Sequence, residues 1–185
     1  MKTFDFGGGP VPAHRHQNPD GTEGGWVAET AFVAKTVTVG RNARVFGDAQ
    51  VFGNVRMSNK AQISGNAQVS GWANVFGSAH VYDSVTIYNN AKVFGSAKVF
   101  GSAQVLSNAR VGGKAQVFGS AQIYGDAMIC GEAQVCGSAK VFGSAQVLGT
   151  AKVFGDVRDV VVCGGEVQAF GQSLPFCPVQ SVLGW

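Results

Sequence analysis

The chain has 185 residues, of which 45% are hydrophobic and only 14% are charged, with a formal net charge of +3. That length suits one domain, no apolar run reaches the length of a membrane span, and so small a charge excess argues against nucleic acid as the partner. The 27 glycines are far more than an ordinary domain carries and require a local explanation.

Residues 1–30 come first and are rich in Gly, Pro and His. The start, MKTFDFGGGPVPAHRH, holds no apolar core of the kind a secretory signal needs, so none is expected. His14 and His16 alternate, so on a strand they would share one side. They are the candidate metal ligands, with Asp20 and Glu23 as further donors nearby. The competing reading is favoured: PVPAHRHQNPDGTEGGWV is a turn-rich cap in which the histidines meet backbone or water. No metal or cofactor is therefore expected. Trp26 is expected to seat over the first coil as a lid.

Residues 31–158 carry a beat of six. Val33, Val39, Val45 and Val51 open it, and it runs to Val153 with only Met57, Ile63, Ile87, Ile123 and Ile129 as variants. Two residues earlier sits a small residue, as at Ala31, Val37, Ala43 and Ala49. Residues two apart on a strand face the same side, so Ala and Val point inward. The residue between them points out and is polar: Arg44, Gln50, Arg56, Gln62, Gln68. Pairs such as Gly47-Asp48 and Asn89-Asn90 then form corners, because Gly, Asn and Asp tolerate positive φ. Short strands alternating with corners at a fixed short period define an all-β solenoid. No insertion interrupts it.

Residues 159–185 end the chain. At Asp159 an aliphatic residue is due and a charge appears, so the register fails. The apolar, Pro-containing remainder reads as a C-terminal cap or tail, since raw strand edges template aggregation unless covered. Cys130 and Cys136 are one unit apart and fall on different walls; Cys163 and Cys177 lie in the tail. Nothing requires a bridge, so reduced thiols and a cytoplasmic setting are expected. A phage-encoded protein made in a bacterial cytosol would have the same composition.

The run A-x-V-x-G-[SDN] resembles the hexapeptide-repeat, left-handed parallel β-helix proteins, which include acyltransferases and gamma-class carbonic anhydrases. VFGDA (45–49) and VFGNV (51–55) are similar to the gamma-class style of repeat, and GGWV with A-x-T-A-x-V is similar to the start of the repeat in bacterial members. The resemblance implies a single-stranded triangular prism of eighteen residues per coil, about seven coils here, often assembled as a trimer. Enzymes of the family build their sites from loops that leave the coil and from catalytic or zinc-binding histidines. This rod has no such loop and one histidine, His80, so no catalytic residue carries over. An enzyme with its site at a subunit seam remains the alternative reading, and a binder of nucleic acid or ice a further one.

Sorted by eighteen, the residue after each Val falls into three outward columns rich in aromatics. Such columns would expose more apolar surface than a soluble monomer carries. One wall is almost uncharged: Gln50, Gln68, Thr86, Gln104 and Gln122, edged by Phe52, Tyr88, Leu106 and Tyr124. A neutral, aromatic-edged wall suits a subunit interface. The reading is a non-enzymatic, rigid solenoid acting as an oligomeric scaffold or protein-binding surface, with a homotrimer through that wall favoured.

Overall fold

The structure, a computed structural model, describes residues 2–167, and these contain strands and turns and no helix. Three strands open the chain: β1 (Thr3–Asp5), β2 (Pro10–Gln17) and β3 (Glu23–Ala28), joined in antiparallel order. β3 then pairs parallel with Arg44–Val45, setting Trp26 beside Arg44 and Val27 beside Val45. From there each strand pairs with the one eighteen residues on, as Gln50 does with Gln68 and Gln68 with Thr86.

Three parallel sheets result, and they are the walls of a solenoid. Wall I runs from β3 through Arg44, Gln62, His80, Lys98 and Lys152 to Glu166–Val167. Wall II runs from Phe32–Val33 through Gln50 and Gln68 to Val157–Arg158. Wall III runs from Thr38–Val39 through Arg56 and Asn74 to Val161–Val162. The twenty-four strands from β3 to Val161–Val162, three to a coil, make eight coils. That is one more than the sequence count, because β3 at the start and Val161–Val162 at the end each add a wall to the strands within residues 31–158. At a strand spacing of about 4.8 Å the stack is about 38 Å tall.

The alternation of the unit explains the core. Ala43, Val45, Ala49, Val51 and their successors as far as Val153 have essentially no exposed surface. Met57, Ile63, Ile87, Ile123 and Ile129 are the largest members. The corners need a left-handed residue: Gly47 and Gly53 have φ of 69° and 77°. Corners lie directly on one another, so a Cβ on Gly47 would stand 2.8 Å from the backbone nitrogen of Gly65. Close stacking and positive φ together favour glycine there, and the corners that lack it use Asn59, Asp83, Asn89 and Ser107 at φ of 57–62°.

The two ends are finished differently. At the start, wall III has no strand above Thr38–Val39. Side chains from β2 and the following turn take its place. His16 Nε2–H donates to the Val37 carbonyl at 2.9 Å, and the Val39 N–H donates to Asn18 Oδ1 at 2.8 Å. Arg15 Nη1 donates to the Arg41 carbonyl at 2.8 Å. These are the groups that a preceding coil would have satisfied, and buried backbone left unpaired is costly.

At the far end the pairing step shrinks. Val141 pairs with Val157, Val147 with Val162 and Val153 with Val167, so sixteen, fifteen and fourteen residues separate the partners instead of eighteen. Val157 and Val162 fill the core in place of the missing beat. Asp159 becomes a corner residue at φ 51°, and its carboxylate accepts the Ser144 N–H at 2.7 Å. The lost register is thus absorbed by shorter coils rather than by leaving the wall. The rest of the apolar tail, including Cys177, lies outside the described residues.

Candidate interaction surfaces

The sequence-expected interface residues do share one face. Gln50, Gln68, Thr86, Gln104 and Gln122 are consecutive register partners on wall II. Their side chains are exposed or half-exposed. No charged residue stands at an outward strand position of this wall until Lys140.

The aromatic column beside them is uneven. Tyr124 stacks on Phe142 with ring centroids 5.0 Å apart. Leu106 is half-buried above Tyr124. Phe52 and Tyr88 lie on either side of Ser70, which has no ring to offer, and both remain exposed at 39% and 37%. Two members of the same surface escape a reading by columns. Phe32 takes the outward strand position of the first wall II strand and is 59% exposed. Trp72 takes the corner from wall II to wall III and is 61% exposed. A signal was present in each case: an aromatic at a position that is polar or small in nearly every other unit.

The other columns are covered by stacking over most of their height, with Phe154 at the far end of wall I left 43% exposed. On wall I, Tyr82, Phe100 and Phe118 form a continuous pile with centroids 5.1 and 4.9 Å apart. Phe46 is capped by Phe6 at 4.9 Å. On wall III, Phe76 and Phe94 stack at 5.2 Å, and the Phe94 ring lies so close over Gly112 that a Cβ there would collide with it.

The histidines are not brought together. A bulge between Arg15 and Gln17 breaks the alternation that would put His14 and His16 on one side. His14 is exposed and its Nδ1 meets Glu29 Oε1 at 2.8 Å. His16 is buried on the Val37 carbonyl, and burial pushes its pKa below the ordinary value. Asp20 is bound to Thr22, which holds its carboxyl below the usual range. Among the described residues no three His, Cys, Asp or Glu side chains are grouped to hold a metal ion. His80 sits half-exposed on wall I, its pKa lowered by burial and by Lys98.

Cys130 and Cys136 are free thiols, and burial pushes both above the ordinary thiol range, which makes them poor nucleophiles. Cys163 is disulfide-bonded, so the expectation of four reduced thiols fails there. That removes one premise of the cytoplasmic reading. No described helix is long and apolar enough to cross a membrane. The fold and these surfaces place the chain in the class of parallel β-solenoids. Compared with family models, curated proteins and solved structures, it finds no match.

Proposed function

We propose that the protein is a non-enzymatic rigid rod that self-associates through wall II and serves as an oligomeric scaffold or protein-binding surface. The observation that carries this reading is the placing of exposed apolar side chains. Phe32, Phe52 and Tyr88 lie on the one wall whose strands are nearly free of charge, and Trp72 stands at its corner. Charge depletion with exposed aromatics is the composition of an interface core, and Trp and Tyr are the side chains that dominate binding energy there. Closed symmetry hides such a patch, whereas an open arrangement risks fibres. The eighteen-residue step and the repeat style support a left-handed hexapeptide prism, and with it a trimer about an axis along wall II.

Light scattering at micromolar concentration tests it. The unmodified chain is expected at three times its monomer mass. Gln68→Glu with Gln104→Glu sets like charges at the axis and dissociates the assembly. Arg56→Glu with Arg110→Glu, on wall III, leaves it intact. A monomer mass for the unmodified chain would sink the reading.

A further inference from the structure

Where the N-terminal strands meet the rod, four cations converge without a carboxylate. A cleft of about 370 Å³ at the corner from wall III to wall I is lined by Arg15, Arg41, Arg44 and Lys60. Asn42 and Gln62 add neutral donors, and Phe4 and Trp26 form one side. These residues are far apart in sequence. Arg15 comes from β2, Trp26 from β3, Arg44 from the next strand of wall I, and Arg41 and Lys60 from corners of successive coils.

Elsewhere on the rod the cations form at most a neighbouring pair, Lys92 beside Arg110 on wall III, or meet an acid. Lys114 is bound to Glu132 at 2.9 Å, Lys152 to Glu166 at 3.7 Å and Arg158 to Asp159 at 3.1 Å. None of the four cleft cations is in an ion pair among the described residues. Arg15 has a structural role on the Gly24 and Arg41 carbonyls, but Arg41 and Lys60 have no side-chain partner among the described residues, and placing them beside Arg15 and Arg44 costs Coulomb energy with no structural return.

The geometry also defines what the cleft can recognise. Arg15 lies over Trp26 with its guanidinium carbon 4.5 Å from the ring centroid, and Trp26 stacks on Phe4 at 4.8 Å. Arg44 lies over Phe4 at 5.1 Å. The planar faces are therefore engaged with one another, and no open ring is left for a base to stack upon. What the lining still offers a ligand is N–H from the exposed Arg41 and Lys60 and from Arg44, whose side chains make no hydrogen bond among the described residues. Stacking holds the Arg15 and Arg44 guanidiniums in place before a ligand arrives, which lowers the entropic cost of binding. Planar N–H forks suit the oxygens of phosphate groups. The volume is in the range of small-molecule sites and exceeds what one phosphate needs.

We propose that this cleft binds a small molecule carrying two or more phosphate groups, held by Arg41, Arg44 and Lys60 with Arg15 as a fixed support, and read through its phosphates rather than its base. Titration calorimetry at low salt tests this with inorganic tripolyphosphate, ATP and GTP. The three are expected to bind at one site with affinities within a few-fold of each other, and inorganic monophosphate about tenfold or more weakly. Arg41→Glu with Lys60→Glu should reduce tripolyphosphate binding by about a hundredfold, since each residue supplies a charge-assisted contact. Neither side chain is bonded to the protein among the described residues, so the fold should persist, and an unchanged circular dichroism spectrum checks that. The control is Lys98→Glu with Arg110→Glu, which makes the same change in net charge on the outer walls and should leave binding unaltered. Three results would each overturn the proposal: no saturable binding, equal losses in both double variants, or a strong preference for one base. A single-stranded oligonucleotide that binds tighter than tripolyphosphate and loses affinity in both variants would indicate a nucleic-acid surface along the rod instead.

Discussion

The wall I column of Tyr82, Phe100 and Phe118 and the wall II column of Phe52 and Tyr88 are built from the same side chains at the same position of the unit, yet one is covered and the other open. The difference lies one coil away. A ring whose neighbour eighteen residues on is also a ring lies flat against it, about 5 Å off, and shields it from water. A ring whose neighbour is Ser70 keeps an exposed face. Phe154 follows the same rule, since Cys136 stands before it, and it is 43% exposed. An outward aromatic on a solenoid is thus neither structural nor adhesive by its own nature; the residue one coil above or below decides which.

The largest effect tests the frame that both columns share. Val99 is fully buried and Lys98, its chain neighbour, is exposed. Val99→Asp buries a charge between coils and is expected to cost several kcal/mol, on the order of 3 or more, whereas Lys98→Asp should cost less than about 0.5. Urea unfolding of the two variants compares them, and equal midpoints would mean the alternation is wrong.

A smaller effect separates the columns. Phe100 has a ring on each side, so Phe100→Ala should lose about 2 kcal/mol of stability. Phe52→Ala removes an unstacked ring and should cost well under 1 kcal/mol in the monomer while weakening self-association. If chemical unfolding gives equal losses at the two sites, stacking does not distinguish the columns.

The next test converts one column into the other. Ser70→Phe places a ring between Phe52 and Tyr88 and should stabilise the fold by about 1 kcal/mol. A thermal melt reads the gain. A lower Tm would show that the gap at Ser70 is not open to a ring.

The smallest effect concerns the cap. His16 is held neutral by burial, so its folded pKa lies below the unfolded value of 6.5. The unfolded chain then takes up the proton first as pH falls, and stability drops as pH is lowered through 6.5 towards the folded pKa. His16→Gln should flatten part of that slope; His80, shifted in the same direction, would supply what persists. Unfolding midpoints at pH 7.5 and 5.5 give the comparison, and an identical slope in the variant would remove His16 from the account.

The repeating core was legible residue by residue, because a period of two inside a period of six leaves no freedom in what faces inward. The ends were less so. Gly25 holds the place of the Ala in the unit, and its neighbours read as a turn, so β3 was not counted as a wall of the first coil. The replacement has a physical cause: a Cβ on Gly25 would collide with the Ala43 carbonyl oxygen. The bulge at Arg15 that parts His14 from His16 has no signature in the chain that we can name. The cleft of Arg15, Arg41, Arg44 and Lys60 was hidden for another reason. It is assembled by a hairpin that precedes the periodic region, and periodicity says nothing about where that hairpin folds.

The eighteen-residue step has a consequence for how such a chain can change. Removing or adding six residues leaves every Ala and Val facing inward, but it rotates all that follows by one wall. A cut of one unit between Tyr88 and Leu106 would carry Tyr124 and Phe142 to a different face while the interior stayed as it was. Eighteen residues change the height by about 4.8 Å and rotate nothing. The molecule therefore behaves like a combination lock with three positions, in which surface pattern can be re-dialled by whole units without disturbing the spindle.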